Sequence, residues 1–311
     1  MRVYEGLETL PESFSASTVA VGTFDGVHVG HHEIIRHAIA DAKAGGRKSV
    51  VFTFDRHPAE LLAPDRVPGY LTTPSQKIRW LSALKPDALL IARFDRDFSE
   101  LSPETFLKGI LKERLGAAAI VVGTNFLFGK ARAGDREYLA ENQSRFDYTL
   151  HALEPILLDD APASSTRIRE CLRAGEIAEA EGMLGHPFLL AGTVVKGQQL
   201  GRKLGYPTAN LSLEVAQVVP LDGIYAVEAY LQDGRKFGGA CSIGNRPTIE
   251  KAGRSIETYL FDFDEDIYET TMEVRFVRRL RAEAKFESLE ALITQIDEDV
   301  RQAKEILTRQ D

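Results

Sequence analysis

The sequence predicts two domains in tandem: a doubly wound α/β sheet over residues 1–185, then a small antiparallel barrel or sandwich with a C-terminal helix over 186–311. Three observations carry this. Up to about residue 185, nearly continuous apolar runs alternate with helical patterns, as parallel strands buried on both faces require. Beyond Gly185-His186-Pro187 the rhythm changes to strands joined by short turns. The last stretch, SLEALITQIDEDVRQAKEIL, has helical periodicity.

Taken in order, STVAVGTFD (17–25), SVVFTFD (49–55), ALLIARFD (88–95), AAIVVGTNF (118–126) and YTLHALEPILL (148–158) read as strands. Between them, HHEIIRHAIADAKAG starts a helix near His31, places Ile34, Ile35, Ala38, Ile39 and Ala42 on one face, and stops at Gly45-Gly46. SPETFLKGILKERLG starts a second helix, with Ser102 as N-cap and Pro103 at its first position. In the second half GTVVKGQ, GIYAVEAYL, KFGGACSIG, SIETYLFDF and TMEVRFVRRL read as strands, with Asp233-Gly234 a hairpin signal. The final helix runs its apolar stripe through Leu289, Leu292, Ile293, Ile296, Val300, Ala303 and Leu307, a face made to pack on the barrel. There is no internal repeat and no low-complexity tract.

Composition narrows the function. A net charge of −8 argues against non-specific attraction to nucleic acid or an anionic membrane. Cys171 and Cys241 stand far apart without a CxxC pattern and read as reduced, buried thiols. The opening MRVYEGLETLPESF lacks a basic stretch followed by an apolar core, and no apolar run nears the ~18 residues of a membrane span. The expectation is a cytoplasmic protein.

Ligands of open α/β sheets sit at the carboxyl ends of strands. Gly22-Thr23-Phe24-Asp25-Gly26 closes the first strand, and His28 and His31 flank the start of the next helix. Glycines admit a phosphate close to the backbone, a helix N-terminus offers free N–H groups, and histidines stabilise charge on phosphate oxygens. Capping or surface histidines are the plain alternative. Zinc is disfavoured, because His28, His31 and His32 have no cysteine near them and no HExxH pattern. Ser164-Ser165-Thr166-Arg167-Ile168-Arg169 would open a later helix with hydroxyls, N–H groups and Arg169 aimed at a polyphosphate, or simply cap it. Gly123 to Ala131 imitates a P-loop but has one residue too many and no Ser/Thr after Lys130.

In the second half, GRKLGYPTANL (201–211) follows Gly197, and the glycines Gly197, Gly201 and Gly205 suit a flap lying close to phosphates. Thr208 and Asn210, two apart in extended chain, point the same way and offer oxygen ligands to Mg²⁺ held with nucleotide phosphates. A turn with Thr and Asn capping the backbone is the alternative. Glu257, among Ile256, Tyr259 and Phe261, is either a solvent-face residue or a base facing a pocket. Asp262, Asp264 and Asp266 with Glu273 imitate an EF-hand loop, but Ile267 stands where the sharp turn needs glycine, so the stretch reads as an acidic hairpin.

GTFDGVHVGHH, TFDRHP, VVGTNFLFGKARAGD, SSTRIR, GRKLGYPTANL, GIYAV, SIGNRPTI and the ETYLFDFDEDIYE hairpin, in that order and spacing, resemble the prokaryotic bifunctional riboflavin kinase/FAD synthetase (FMN adenylyltransferase) family over essentially the whole chain. Within it, HxGH resembles the signature of the nucleotidyltransferase superfamily. The resemblance implies a Rossmann-like nucleotidyltransferase domain followed by a Greek-key barrel. ATP would phosphorylate riboflavin to FMN in the second, and adenylate FMN to FAD with release of pyrophosphate in the first. Mg²⁺ with ATP is the implied cofactor, and riboflavin, FMN, FAD and ATP are substrates or products. His28 and His31 would contact ATP phosphates, with Gly22, Phe24, Asp25 and Gly30 shaping the loop, Asn125 near flavin and nucleotide, and Ser164, Thr166 and Arg169 completing the grip. Gly197 and Gly201 would line the kinase nucleotide site, Thr208 and Asn210 would hold Mg²⁺-ATP, and Glu257 would be the base. Thr23, Asn125 and Tyr259 stand where the family commonly has Asn, Asp and His. An enzyme with one live module, and a flavin-binding protein without turnover, are the other readings. Homo-oligomerisation is left open.

Overall fold

The run Ser17 to Val21 is buried from end to end, which is what the central strand of a parallel sheet demands. The computed structural model describes residues 1–311 except 12, 13, 15, 198, 200, 202, 203, 246–253, 310 and 311. Part of SIGNRPTI (246–249) and Arg202-Lys203 of the GRKLGYPTANL stretch therefore lie outside the described residues. The chain divides into two compact units, Met1–Pro68 with Pro74–Ser165, and Gly69–Thr73 with Thr166–Asp311.

The first unit is built on six parallel strands: β1 (Arg2–Glu5), β2 (Ser17–Val21), β3 (Lys48–Phe54), β4 (Ala88–Ala92), β5 (Ala117–Gly123) and β6 (Thr149–Leu153). Their order is β1-β4-β3-β2-β5-β6. From β2 the chain steps outward through β3 and β4, then returns to build β5 and β6 on the other side. The direction thus reverses between β2 and β5, and that switch point is where such sheets hold ligands. β1, an edge strand with only Tyr4 buried, gives no sequence signal. The stretch 148–158 is not one strand: Pro155 follows β6, and β7 (Leu157–Leu158) pairs instead with β8 (Ala161–Pro162).

The helix over Val29–Ala44 buries Ile35, Ala38 and Ala42 and leaves Ile34 and Ile39 half-buried. It begins two residues before His31, because His28 is its N-cap. Ser102 and Pro103 start the next helix as expected, but Phe106–Arg114 winds as π-helix, with Leu115 N–H reaching Ile110 O at 3.0 Å.

In the second unit, the helices Ser165–Ala174 (from Thr166 onward) and Ile177–Leu184 pack with the barrel. Leu221 N–H donates to Leu172 O at 3.0 Å, and Glu181 pairs with Arg275 at 3.0 Å. The compact unit thus starts near Thr166, and the Gly185-His186-Pro187 break falls within it, at the left-handed end of a helix (Gly185 φ 72°).

Six strands follow: β9 (Leu189–Val195), β10 (Thr208–Leu213), β11 (Gly223–Leu231), β12 (Lys236–Asn245), β13 (Arg254–Leu260) and β14 (Thr271–Arg281). They close into a barrel in the order β10-β13-β12-β11-β14-β9. This decides between barrel and sandwich. β11, β12 and β13 are consecutive antiparallel neighbours and β14 returns beside β11, which is a Greek key. Residues 261–270 are therefore not a hairpin. They cross the barrel end from β13 to β14 and bond to β9 through Glu269 N–H and Val194 O at 2.8 Å. Tyr225, Val227, Cys241, Ile256, Thr258 and Phe276 are buried within it; burial pushes the Cys241 thiol up to about 12. The helix Leu289–Thr308, capped by Ser288, packs Ala303 against Phe261 and Ala226 on the outer wall. Leu289, expected in its apolar stripe, is 52 % exposed in the first turn, and the stripe instead accommodates buried Asp299.

Candidate active sites

At the end of β2 the loop doubles back through three left-handed residues, Phe24 (φ 48°), Gly26 (φ 80°) and Val27 (φ 39°). For Phe and Val this is strained, about 1–3 kcal/mol each. Burial of both side chains holds it, together with Val27 N–H to Phe24 O at 3.2 Å and the Ser165 hydroxyl donating to Asp25 O at 2.9 Å. The turn delivers His28 to the start of the helix. Its Nδ1 accepts from Gly30 N–H at 3.2 Å, which leaves Nε2 to carry the ring proton. A Cβ on Gly30 would stand 3.1 Å from that ring, and one on Gly22 would stand 2.9 Å from the Phe24 ring.

His31 stacks on His28 with centroids 3.6 Å apart and takes the Phe24 edge at 5.2 Å. Burial, then His28, His32 and Lys77, hold its pKa well below that of ordinary imidazole. Stacked rings at the positive end of a helix disfavour charge on both at once. His31 Nδ1 is buried with no hydrogen-bond partner among the described residues. The pair is thus a stacked donor–acceptor surface at the N-terminal end of a helix, with one buried ring nitrogen left over for a ligand.

Asn125 follows β5, across the switch point. Its Oδ1 lies 3.1 Å from where a Gly123 Cβ would stand, and Ile34 of the first helix is 3.6 Å from the same point. The structure therefore brings Gly22, Phe24, Asp25, His28, Gly30, His31 and Asn125 to one end of the first sheet. The Ala163–Ser165 segment joins them, with Ala163 O 3.8 Å from the Gly30 position, which carries Ser164 along that edge. Thr166 and Arg169 belong to the second unit, where Arg169 is buried and its Nε donates to Gly69 O at 2.7 Å. Sequence reasoning missed Lys77, inside the unremarkable helix Pro74–Ala83, whose Nζ donates to Phe54 O at the end of β3 at 2.6 Å. Its relevance comes only from strand ends that the fold brings together.

In the barrel, register assembles the second set. Asn210 of β10 stands opposite Glu257 of β13, which stands opposite Ser242 of β12. Ile256 and Thr258 point inward, so Glu257 lies on the outer wall with Thr208 and Asn210. The Thr208 hydroxyl donates to Glu257 Oε2 at 3.3 Å. A Cβ on Gly197 would stand 2.6 Å from Asn210 Cγ, and Gly201 lies under the Tyr206 carbonyl beside Thr208. Tyr206 sets its ring edge-on to Tyr259 at 5.3 Å and hydrogen-bonds Asp297 of the C-terminal helix, a bond that raises its pKa to about 12. The set is one carboxylate with two side-chain oxygens over a glycine-rich strap. It suits a hard cation that brings most of its own ligands, and among the described residues no three or more His, Cys, Asp or Glu gather as a metal cluster.

Comparison with known proteins covers both halves. The family model for FAD synthetase matches residues 10–167, and that for riboflavin kinase matches residues 184–307. A protein of Haemophilus influenzae named bifunctional riboflavin kinase/FMN adenylyltransferase is 35% identical over 304 residues, covering 98% of each chain. The protein of that name from Escherichia coli K12 is 33% identical over 306 residues, covering 98% of this chain and 97% of its own. The one from Bacillus subtilis is 34% identical over 299 residues, covering 94% and 93%. Among solved structures, one described as a macrolide-efflux protein from Streptococcus pneumoniae superposes with TM-score 0.85 at 31% identity, covering 96% of this chain and 97% of that one. Among the described residues of this chain, no helix is long and apolar enough to cross a membrane.

Proposed function

This chain belongs to the family of bifunctional riboflavin kinase/FMN adenylyltransferases, and from that premise we propose which of its residues carry each reaction. Riboflavin is phosphorylated by ATP to FMN, and FMN then takes an adenylyl group from ATP, giving FAD and pyrophosphate. We assign the second reaction to residues 1–185 and the first to 186–311.

In the kinase step the ribityl 5′-hydroxyl attacks the γ-phosphorus and the bond to ADP breaks, so a proton must leave a neutral hydroxyl. Glu257 takes it; the support is its place on the outer wall, oriented by the Thr208 hydroxyl at 3.3 Å. Thr208 and Asn210 would hold Mg²⁺ with the ATP phosphates, and the cation would neutralise charge developing on the transferred group. Gly197 and Gly201 let the strap lie close over that nucleotide.

In the adenylyl step the FMN phosphate is already an anion. An oxygen of it attacks the α-phosphorus of ATP and the bond to pyrophosphate breaks, with no base required. His28, His31 and the N–H groups of the helix start stabilise the phosphates, Gly22, Phe24, Asp25 and Gly30 shape the loop, and Asn125 faces it across the switch point. Ser164, Thr166 and Arg169 are assigned to the same polyphosphate. Two buried cysteines without a disulfide, and two reactions fed by ATP, fit the cytoplasm; the partners are the flavins and ATP, with no nucleic acid or membrane.

The observation that carries the division is the separation of a carboxylate on one strand wall from a histidine pair at one helix start. Chromatography of flavins after mixing protein, riboflavin, Mg²⁺ and ATP tests it. Glu257→Gln should abolish FMN formation yet convert supplied FMN to FAD, whereas His28→Ala or His31→Ala should accumulate FMN without FAD. Retained FMN formation in the first, or normal FAD yield in the second, would overturn the corresponding assignment.

A further inference from the structure

Two carboxylates stand just past the strand ends of the first unit, where a triphosphate has to enter. Asp25 is buried within the loop after β2. Asp55, the residue after β3, accepts Phe94 N–H at 2.9 Å through one oxygen, while the exposed Arg56 lies 3.5 Å from the other. Left to themselves they would set negative charge beside the phosphates that His28 and His31 are placed to bind, and repulsion between like charges is strongest where water is thin. Besides Arg56 at Asp55, one half-buried cation lies within reach of both. Lys77 reaches from its helix to the Phe54 carbonyl at 2.6 Å, within electrostatic reach of Asp25 and Asp55 and of His31. That carbonyl is the sole hydrogen-bond partner of its ammonium among the described residues, so two of its three N–H groups remain for the carboxylates' field. Burial lowers its pKa against the pull of the two carboxylates, so the ammonium is held there at some cost to solvation.

We propose that Lys77 is a positioning residue of the adenylyl-transfer site: it offsets Asp25 and Asp55 and pins the end of β3, so that the mouth beside His28 and His31 admits polyphosphate. This rests on the adenylyl-site assignment above. Lys77 acts through the carboxylates and the strand end, and loses nothing to the reaction itself.

The reverse reaction, FAD plus pyrophosphate to FMN plus ATP, isolates this site, because the kinase takes no part in it. Lys77→Met in the full chain should raise KM for pyrophosphate at least tenfold with kcat changed less than threefold. Lys77→Arg, which keeps the charge, should recover it. Lys77→Met combined with Asp55→Asn, which removes one repelling charge and keeps the oxygen that accepts Phe94 N–H, should bring KM back within threefold of the parent. A KM within twofold of the parent in Lys77→Met overturns the proposal. So does a rise that Asp55→Asn leaves untouched, or a loss confined to kcat, since a structural role alone would give either. His31→Ala run in parallel separates the premises: if it still makes FAD at the normal rate the adenylyl-site assignment fails, and if it is inactive while Lys77→Met behaves as the parent only the role of Lys77 fails.

Discussion

A methyl group at position 197 would stand 2.6 Å from Asn210 Cγ, closer than real Cβ contacts come, so the amide has to shift. Gly197→Ala therefore displaces one of the two side-chain oxygens assigned to Mg²⁺-ATP. Misplacement of about 1 Å costs up to ~100-fold, so kcat/KM for riboflavin phosphorylation should fall about tenfold or more, chiefly through KM for ATP. Adenylation of supplied FMN in the same sample should be untouched; an unchanged KM for ATP would remove Asn210 from the nucleotide site. At this scale the sites are legible in sequence wherever chemistry needs fixed residue types at fixed spacing. His28-x-Gly30-His31 and Thr208-x-Asn210 are of that kind. Glu257 is legible only as a choice between solvent and pocket, because alternation alone does not say which neighbours it meets; the register sets it opposite Asn210. His28 as N-cap and the left-handed Phe24 and Val27 are not legible, since both side chains look like ordinary residues until the loop closes on itself.

Elements show the same limit in another form. Asp299 lies in the helix Leu289–Thr308 at 3 % exposure, where periodicity expects apolar packing. It is satisfied by Arg281 of β14, with Nε at 2.8 Å and Nη2 at 2.6 Å, and by Gln295 at 3.0 Å. This fork fastens the helix to the barrel. Asp299→Ala leaves the Arg281 guanidinium half-buried without its partner, and removing one member of a buried pair costs about 3–5 kcal/mol, less where the survivor keeps some water. A loss of about 2–4 kcal/mol in urea unfolding of the full chain is expected, with Asp299→Asn in between; a change below about 0.5 kcal/mol would mean the pair contributes only geometry. Strand and helix existence is read well from periodicity, because each strand buries its own side chains. Neighbour choice is not: the acidic run after β13 carries every local mark of a hairpin, yet it is the Greek-key crossover, because β14 finds its partners in β11 and β9. The π-helical turn at Phe106–Arg114 is hidden for the same reason, as one hydrogen-bond slip leaves composition unchanged.

On the scale of the whole molecule, the chain contributes to its second unit twice, and the sequence break does not mark where that unit begins. Residues 69–73 join it early: Tyr70 N–H donates to Ala216 O and Val218 N–H to Tyr70 O, each at 2.8 Å, and Leu71 is fully buried. The helix Ile177–Leu184 then buries Ile177, Ala180, Met183 and Leu184 before the first barrel strand begins. Its Glu181 holds Arg275 of β14 at 3.0 Å and the Phe188 N–H at 2.9 Å. A kinase fragment of residues 186–311 thus discards a layer of its own core along with one ion-pair partner of a half-buried arginine, which keeps Glu228 at 3.2 Å. Each buried aliphatic side chain is worth about 1.5–3 kcal/mol, so the fragment 166–311 should exceed 186–311 by at least about 3 kcal/mol in urea unfolding. Both lack residues 69–73, so that omission cancels in the comparison. The longer fragment should phosphorylate riboflavin, whereas the shorter should be unfolded or lose activity on mild warming. Equal unfolding midpoints and equal rates would show that the barrel stands without these helices and that the break at Gly185-His186-Pro187 is the true lower bound of the kinase.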